Sequence, residues 1–552
     1  MLKNLVDIRI SNNAIRGTVS LISLISKFKL TSLDLSSTKL TIDVDERVHL
    51  YSKPTLETLK LGKLHPNVFP TFICNLTHLK QLNLSHSNLM GPIPSCISEL
   101  KNLLYLDLSN NKLRGPLPVL PQGIYHLDLS QNKLDGDISL KAGERISSAR
   151  EISLNGNKLS GTIPSSICSP EPRKTYDPVF IDLSKNKLSG TIPSSIGSCS
   201  LLWYLNLGNN NLSGNVPNEL QQVERLQYLQ LSHNKLNGTF PKSIEKLYSL
   251  QGLDLGYNNF EGNIPSGFGS PTDLRIISLR SNKFNGSIPI GIYITFFLQI
   301  LDLSINNFSG PISREITKLM MLKVTTTLYL RRTQNGKMQF QLAIKGSVAQ
   351  FDDLYEYSSG INLSCNILDG QIPTEIASLN GLAMLNLSHN LFSNNIPLNV
   401  GNMSKLESLD LSFNRLSGHI PQSLTSIDSL GFLSLSHNNL SGKIPRGNHF
   451  DTLSLEGSTF VGNEFLCGFP TEKDCEGKHS IGIDKTNPSS ETDNDDKEDA
   501  KQKLLLYAIV SLGFWSLFLV LLLNKQKWWF PYWRIVDSVA VAIVKRCIHK
   551  NE

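Results

Sequence analysis

Four aspartates recur in the Leu-Asp-Leu slot of a repeating segment, where Ile181 replaces the first leucine before Asp182, and their type and recurrence most suggest acid/base chemistry. They are Asp182, Asp254, Asp302 and Asp410. Two carboxyl groups can act as general acid and general base when their surroundings separate their pKa values. These aspartates come one to a repeating segment, and no neighbour is expected to desolvate them. We therefore expect a structural role on a solvated strand surface, and the chain carries no enzyme signature.

Cysteines and asparagines supply the other residues of chemical interest. Of the eight cysteines, Cys467 and Cys475 lie close together where the regular segments stop. A disulfide that caps the core is the favoured interpretation; zinc is the alternative, although no second ligand pair at suitable spacing accompanies them. We expect no metal or other cofactor. Five further cysteines are isolated singles: Cys74, Cys96, Cys168, Cys199 and Cys365.

Ten Asn-x-Ser/Thr sequons without proline are candidate glycosylation sites: Asn75, Asn83, Asn211, Asn237, Asn285, Asn307, Asn362, Asn386, Asn402 and Asn439. The repeating consensus creates some of them, as at Asn211 and Asn439. Those outside that register, such as Asn75 and Asn402, are harder to attribute to the consensus. Together with the cysteine pair they indicate a secretory, oxidising compartment.

The element that must position all these residues is a 24-residue repeat that begins at Asn186. Each recurring asparagine stands three residues after the second leucine of a Leu-x-Leu pair, as Asn258 does after Leu255. The regular positions are Asn186, Asn210, Asn234, Asn258, Asn282, Asn306, Asn366, Asn390, Asn414 and Asn438. This spacing is the leucine-rich repeat pattern. One unit cannot bury its leucines alone, so neighbouring units must stack.

The repeat predicts a leucine-rich repeat solenoid, a β-rich member of the α/β class with a parallel concave sheet. The asparagine amide is expected to pair buried backbone groups at the end of each strand. The following Leu-Ser-Gly-x-Ile-Pro segment favours an extended or 3-10 return on the convex side. Seven weaker units raise the total to 17; they centre on Asn13, Thr38, Leu64, Ser87, Asn111, Asn132 and Asn157. Thr38 and Ser87 replace the asparagine, which predicts irregular stacking there.

Side chains that flank the inward leucines should project from the concave sheet, because side chains alternate along a strand. In the central units the candidate ligand-binding residues are Trp203, Tyr204, Tyr228, His233, Tyr257, Arg275 and Arg280. Aromatic residues and arginine are frequent anchors of protein interfaces. Tyr204 and Tyr228 occupy one column of adjacent units and should lie side by side. The alternative is that many of these residues are exposed without binding anything.

An insertion at 323–358 interrupts the repeats, and its alternation from Lys337 to Gly346 predicts an ordered strand-like island. It is either a tolerated surface loop or a binding loop. Lys345, Gly346, Tyr355 and Tyr357 are its candidate binding residues. The net charge of +6 is small for this length and no basic cluster follows a repeat face, so a nucleic-acid partner is excluded.

Residues 504–523 are uncharged and long enough to cross a bilayer of roughly 30 Å. An acidic linker precedes this span and basic residues follow it, which predicts a single-pass type I plasma-membrane protein with extracellular repeats. The 29 residues after the span are too few for a kinase. The expected divisions are repeats at 1–322, the island at 323–358, repeats at 359–446, a cap at 447–477, the linker at 478–503, the span at 504–523 and a cytoplasmic tail at 524–552.

The chain resembles plant leucine-rich-repeat receptor-like proteins in three motifs. These are the motif from Gly360 to Asn366, the unit ends of Leu-Asn-Leu-Ser-His-Asn type, and the stretch Gly462 to Gly468 followed by Cys475. This family lacks a kinase and crosses the membrane once. The resemblance implies a receptor for an extracellular peptide, protein or glycan that signals through membrane receptor kinases in defence or development. It also suggests an amino-terminal truncation, because the chain opens inside a repeat without a signal peptide or paired-cysteine cap.

Two alternatives to a signalling receptor stay open. The first is an inhibitor of a secreted cell-wall-degrading enzyme, a role in which some soluble repeat proteins of similar motif act. The second is a non-signalling truncated decoy.

Overall fold

The computed structural model describes residues 5–43, 54–64, 66–168, 178–269, 271–323, 340–344, 347–351, 359–453, 458–471 and 473–475. The repeats lie within one compact unit, Met1–Lys473. Among the described residues, no helix has both the length and the apolar character needed to cross a bilayer. The predicted acidic linker 478–503, span 504–523 and tail 524–552 lie outside these residues.

Within the described residues, short parallel strands form one sheet of 17 members, which confirms the 17 units predicted from the repeat. Successive strands pair without offset, so that Tyr204 lies opposite Tyr228 and Leu205 opposite Leu229. Equivalent residues of neighbouring units therefore form columns across the sheet. In spatial order the strands are Asp7–Arg9, Ser32–Asp34, Thr58–Lys60, Gln81–Asn83, Tyr105–Asp107, His126–Asp128, Glu151–Ser153, Phe180–Asp182, Tyr204–Asn206, Tyr228–Gln230, Gly252–Asp254, Ile276–Ser278, Ile300–Asp302, Gly360–Asn362, Met384–Asn386, Ser408–Asp410 and Phe432–Ser434.

The recurring asparagines form a hydrogen-bonded ladder beneath the strand ends. Asn258 is typical: its Nδ2 donates to the carbonyls of Leu231 and Leu255 at 3.0 Å, and to that of Gly256 at 3.1 Å. Its Oδ1 accepts from the backbone N–H of Leu236 at 3.0 Å. Each of these asparagines thus pairs buried backbone groups, as the sequence predicted, and it also joins its own unit to the preceding one.

The ladder extends one rung beyond the regular repeat. Asn463 accepts from the Leu440 N–H at 3.0 Å and donates to the Leu435 carbonyl at 3.0 Å. Sequence spacing alone did not identify Asn463, because the residues before it lack the Leu-x-Leu pair.

The irregular stacking expected at Thr38 and Ser87 does not occur, since the strands there pair in unbroken parallel register. Ser87 Oγ takes over the donor role and bonds the Leu61 carbonyl at 3.2 Å. A ladder asparagine would also accept the backbone N–H of the residue that stands two places after the ladder residue of the preceding unit. That place is held by Pro66, which has no N–H, so the serine leaves no buried donor unpaired.

After most ladder residues a second short strand runs along the flank, and these strands pair in parallel. Gly214, with φ of 76°, shows why glycine recurs there. These flanking strands are Arg16–Ser20, Lys39–Asp43, Met90–Gly91, Lys112–Gly115, Lys133–Asp137, Lys158–Ser160, Ser189–Gly190, Asn211–Gly214, Lys235–Gly238, Asn259–Asn263, Lys283–Gly286, Asn307–Gly310, Ile367–Leu368, Ser393–Asn395, Arg415–Gly418, Asn439–Lys443 and Phe465–Cys467.

The convex return is mostly 3-10 helix, as predicted, and proline commonly precedes it, as Pro193 does with φ of −69°. The 3-10 helices are Thr71–Asn75, Ser95–Glu99, Ser165–Cys168, Ser194–Ser198, Asn218–Gln222, Lys242–Lys246, Arg314–Lys318, Met320–Lys323, Thr374–Ser378, Val400–Asn402, Gln422–Ser426 and Ser458–Phe460. Four described returns are α-helical: Leu21–Lys27, Leu140–Ile146, Ile290–Tyr293 and Asn448–Leu453. Leucines of the strands and isoleucines of the returns fill the space between them.

Two disulfides join neighbouring units on the convex side, which corrects the expectation that these cysteines are isolated. Cys74 pairs with Cys96, and Cys168 pairs with Cys199, with Cα–Cα distances of 5.7 and 5.2 Å. Stacking places cysteines of successive returns next to each other, although 22 and 31 residues separate them in sequence. Cys467 ends the last flanking strand, and its pairing with Cys475 stays a prediction.

The insertion leaves the concave sheet continuous, because Ile300–Asp302 pairs directly with Gly360–Asn362. Within the insertion, Phe340–Ile344 and Ser347–Phe351 form an antiparallel hairpin. The strand predicted from the alternating residues is therefore present. Its candidate binding residues lie outside the described part of the chain: Lys345, Gly346, Tyr355 and Tyr357.

Candidate functional site

An aromatic cluster forms the floor and one wall of the concave face in the central units. Phe180 and Tyr204 stack with centroids 4.4 Å apart and planes at 5°. Trp203 lies 5.9 Å from Phe180 and 6.1 Å from Tyr228. Tyr204 and Tyr228 are 6.5 Å apart, side by side as predicted from their common column. The strand register explains the cluster, since it aligns first residues of successive strands.

Burial divides this aromatic cluster into a floor and an accessible part. Tyr204 and Tyr228 are only 3% and 2% exposed, so they form the floor. The Tyr204 hydroxyl donates to Gln230 Oε1 at 3.2 Å, and burial raises its pKa. The Tyr228 hydroxyl donates to Gln251 Oε1 at 2.7 Å. Phe180 and Trp203 are half-buried and offer their remaining surface to a ligand. Ligand contact by the two tyrosines stays a prediction.

A polar cluster adjoins the aromatic one at the ends of the next strands. His233 and Tyr257 each precede a ladder asparagine and hold φ of 56° and 52°, so their rings project alike and stack at 4.0 Å. The Arg280 guanidinium lies 5.7 Å from the Tyr257 ring centre. Its Nη1 is 3.6 Å from Asp302 Oδ2, with both side chains buried. Burial lowers the pKa of His233, which keeps the imidazole neutral at pH 7.

Arg275 does not join either cluster. Its guanidinium lies 5.9 Å from the ring of Phe297. Of the seven candidates predicted from the sequence, the structure brings three into the aromatic cluster and three into the polar cluster, and Arg275 stands apart. Asp302 is the ion-pair partner of Arg280 that the sequence does not reveal, because its position belongs to the repeat consensus.

Both clusters border one shallow depression of about 180 Å³. Residues that line it include Tyr204, Gln230, His233, Asp254 and Arg280. A solenoid face of this kind offers a broad contact surface.

The Leu-Asp-Leu aspartates hold the turn that follows each strand. Oδ1 of Asp182 accepts from the Ser184 N–H at 2.9 Å, and Oδ1 of Asp254 accepts from the Gly256 N–H at 3.0 Å. The structural role is as predicted, but the expected solvation is wrong. Burial raises the pKa of Asp182 to about 6 and also raises that of Asp254. Neighbouring groups desolvate these carboxyl groups, although part of each side chain remains accessible.

A second group of concave residues, here called the outer patch, consists of Leu104, Tyr105, Tyr125, His126, Arg150 and Glu151. Tyr105 is 40% and Leu104 is 37% exposed. Tyr105 and Tyr125 lie 5.5 Å apart, and the Arg150 guanidinium is 5.9 Å from the Tyr125 ring. Sequence reasoning missed this patch because it considered only the central units. Tyr105 is the first residue of its strand, as Tyr204 is, so following the column of first residues from the central units to the earlier ones would have identified Tyr105.

An ion pair occupies the middle of the outer patch. His126 Nδ1 is 2.6 Å from Glu151 Oε2, and both side chains are about one-third exposed. The hydrogen bond with Glu151 raises the pKa of His126, and the same bond lowers that of Glu151. The imidazole is therefore more readily protonated than a free histidine.

The candidate glycosylation sites fall into two groups. The concave sequons are Asn83, Asn362 and Asn386, each at the third position of a concave strand. Asn362 is 2% exposed, and its Oδ1 accepts from Ser364 Oγ at 2.8 Å. The exposed sequons lie on the flanking strands and the convex return: Asn75, Asn211, Asn237, Asn285, Asn307, Asn402 and Asn439.

Family models of leucine-rich repeats match several segments of the chain. The description "Leucine rich repeat" covers residues 180–236 and 224–284. A second model, "Leucine Rich Repeat", matches 78–100, 102–124, 148–170, 405–427 and 429–450. These segments are leucine-rich repeats. They include the residues of the aromatic cluster and, in the outer patch, the strands Tyr105–Asp107 and Glu151–Ser153. No curated protein gives a significant match to the chain.

Solved structures with this fold include ectodomains of plant receptors. The ectodomain of the Arabidopsis thaliana membrane receptor kinase GASSHO1/SCHENGEN3, in complex with CASPARIAN STRIP INTEGRITY FACTOR 2, is 30% identical with a TM-score of 0.73. The match covers 86% of this chain and 52% of that one, so the chain spans about half of its length.

Two further receptors show the same similarity. The Arabidopsis receptor kinase HAESA, in complex with the peptide hormone IDA and the co-receptor SERK1, is 28% identical with a TM-score of 0.67. That match covers 84% of this chain and 74% of HAESA. The plant peptide hormone receptor RGFR1, in complex with RGF2, is 25% identical with a TM-score of 0.61, and the match covers 85% and 78% of the two chains. The described repeats therefore have the fold of plant receptor ectodomains.

Proposed function

We propose that this protein is a plant cell-surface receptor-like protein whose repeats bind an extracellular ligand and whose output passes through partner receptor kinases. The observation that carries the proposal is the concave face, where Trp203 and Phe180 stand beside the polar cluster of His233, Tyr257 and Arg280. Partly exposed aromatic side chains held by a rigid sheet are suited to anchor a protein or peptide.

A peptide is the favoured ligand class, and protein or glycan ligands are the alternatives. The structural neighbours GASSHO1/SCHENGEN3, HAESA and RGFR1 were each solved in complex with a peptide or named factor. The shallow, wide surface suits an extended segment better than a compact small molecule. The island, with its hairpin Phe340–Ile344 and Ser347–Phe351, would add a second contact surface.

The receptor kinase partner is inferred from a structural neighbour. HAESA, a structural neighbour, was solved together with the co-receptor SERK1. In our proposal the repeats face the cell exterior and the predicted span 504–523 anchors them in the plasma membrane. Defence or development would then be the process served.

Accessible sequons support extracellular repeats. The exposed sequons lie on the flanks and the convex side, where glycans would leave the central concave residues uncovered. Two convex disulfides are also typical of an oxidising compartment.

The test uses the full chain, expressed in plant cells with a carboxyl-terminal affinity tag, and fractionated apoplastic fluid as the probe. Trp203→Ala removes the half-buried ring of the aromatic cluster, and Tyr248→Ala, at a 57% exposed convex position, is the matched control. We expect an apoplastic peptide fraction to bind the wild type and the control, and to bind Trp203→Ala at least tenfold more weakly.

The same cells report on output. Addition of the active fraction should increase the amount of receptor kinase that co-purifies with the wild type. Failure of every fraction to bind, together with no associated kinase, would contradict the proposal. Capture and inhibition of a secreted wall-degrading enzyme would instead favour the inhibitor role.

A further inference from the structure

The outer patch and the aromatic cluster are connected by strand register. First residues of four consecutive strands pair in the order Tyr105, His126, Glu151 and Phe180. Tyr105 and Phe180 are thus three strand steps apart, with the His126–Glu151 ion pair between them. At about 4.8 Å per step, the two aromatic ends are roughly 14 Å apart.

Both ends of this track are apolar and partly accessible. At one end Leu104 and Tyr105 are exposed and Tyr125 packs beside them. At the other end Phe180 and Trp203 keep part of their surface open above buried Tyr204. Leu104, Tyr105 and Tyr125 lie next to one another, and apolar and aromatic residues mark contact sites when they cluster.

The track as a whole carries more acidic than basic groups. Asp107 and Asp182 end the two outer strands, and Asp128 and Glu151 lie on the two inner strands, against Arg150 and His126 as the basic groups. Burial raises the pKa of Asp128, and Asp107 adds to this effect. A cation placed over the middle of the track would be attracted to these carboxyl groups, whereas a second anion would be repelled.

The spacing fits an extended peptide that runs across the strands. A residue in an extended chain advances about 3.4 Å, so residues i and i+4 are roughly 14 Å apart and point the same way. These two side chains would reach the two apolar ends together. Residue i+2 points the same way, at about 7 Å, and would lie above the ion pair of His126 and Glu151.

We propose that the concave face from Tyr105 to Trp203 binds an extended peptide with apolar or aromatic residues at i and i+4 and a lysine or arginine at i+2. This inference rests on the proposed function, because it names the ligand class of the same concave face. The side chain at i would contact Leu104, Tyr105 and Tyr125. The basic group at i+2 would pair with Glu151, and the side chain at i+4 would pack on Phe180 and Trp203.

The test measures binding of fluorescently labelled short peptides to the purified full chain by fluorescence anisotropy. The matched probe is acetyl-Gly-Ser-Phe-Ser-Arg-Ser-Leu-Ser-Gly-amide. One comparison peptide replaces its Arg by Glu, and a second lacks the Ser after Arg, which moves Leu to i+3 and to the opposite face. We expect the matched probe to bind about tenfold more tightly than either, the size of change typical of losing one interface anchor.

Variants then assign the two recognition elements. Tyr105→Ala should weaken binding of the matched probe about tenfold, while the exposed convex control Tyr248→Ala should leave it unchanged. Glu151→Lys should invert the charge preference, so that the Glu peptide binds better than the Arg peptide. Glu151→Gln, which keeps the shape of the side chain, should reduce the preference without inverting it, because Asp107, Asp128 and Asp182 remain. Circular dichroism of each variant checks that the fold is retained, and a purely structural role of Glu151 would not produce an inversion.

Equal affinity for the three peptides, or equal effects of Tyr105→Ala and Tyr248→Ala, would overturn the inference. Tyr105-dependent binding of cellohexaose without peptide discrimination would overturn it as well, in favour of a glycan. If the apoplastic ligand still binds through Trp203 in any of these cases, the receptor function stands and only the peptide pattern fails. If neither the peptides nor any apoplastic fraction binds, both proposals fail.

Discussion

Removal of one ladder asparagine provides a quantitative test of how the repeats hold together. Asn258 is 8% exposed and lies in the middle of the regular ladder. Substitution by alanine removes three donated hydrogen bonds and one accepted hydrogen bond. The backbone around it would not lose all of its partners, and the expected free-energy change follows from which groups remain paired.

The carbonyl acceptors keep other partners in Asn258→Ala. The Leu231 carbonyl still accepts from Asn234 at 3.1 Å, and the Leu255 carbonyl from Asn282 at 3.0 Å. The Leu236 N–H has Asn258 Oδ1 as its hydrogen-bond acceptor and would be left buried and unpaired. An unpaired buried group costs roughly 1–3 kcal/mol, and weakening of the shared carbonyl bonds adds to it. We expect the free energy of unfolding to fall by about 2–4 kcal/mol.

Urea unfolding of the full chain, followed by far-ultraviolet circular dichroism, measures this change. Asn259→Ala is the matched control, since Asn259 is the next residue and is exposed. Hydrogen exchange read by mass spectrometry should show faster exchange for the peptide that contains Leu236 in Asn258→Ala and not in the control. A loss of stability within about 0.5 kcal/mol of the control, the usual range for surface substitutions, would refute the ladder argument. Unchanged exchange at Leu236 would refute it independently.

Three further predictions concern the carboxyl groups and the sequons. The pKa of Asp182 is about 6 in the folded state and 3.8 ordinarily, so the stability that its protonated form contributes is full below pH 4 and is lost as pH rises through 6. Asp182→Asn should therefore remove up to about 3 kcal/mol of the pH dependence of the free energy of unfolding, measured by urea unfolding between pH 4 and 7. Glu151→Gln should lower the pKa of His126, measured by NMR titration of its imidazole, because the hydrogen bond with Glu151 is the largest cause of the raised value. Glycopeptide mass spectrometry of the full chain passed through the secretory pathway should find glycans at the exposed sequons and none at the concave sequons; a modified Asn362 in folded protein would contradict the structure.

The sequence predicted the fold well because every unit repeats the same physical problem. Each Leu-x-Leu pair needs a neighbour to be buried, and each asparagine needs the same backbone groups to bond. Periodicity therefore determined the number of strands, their parallel order and the ladder. Periodicity could not show that Ser87 can replace a ladder asparagine, because the replacement depends on Pro66 in the preceding unit, which has no backbone N–H to be left unpaired.

The concave residues were only partly predictable. Strand position placed Tyr204 and Tyr228 in one column, and the structure confirms their adjacency. Their exposure depends on the column beside them, where Trp203 and Gln251 cover the rings, and single-strand alternation contains no such information. The solvation expected of Asp182 was wrong for the same reason.

By itself, the sequence determined the solenoid, its parallel sheet and the candidate columns, since these follow from local periodicity and from the hydrogen-bonding needs of repeated residues. Tertiary structure decided which members of a column meet solvent, which cysteines of successive returns pair, and that Arg280 meets Asp302. Those outcomes depend on distances between units, and residues about 24 positions apart become neighbours only when the units stack.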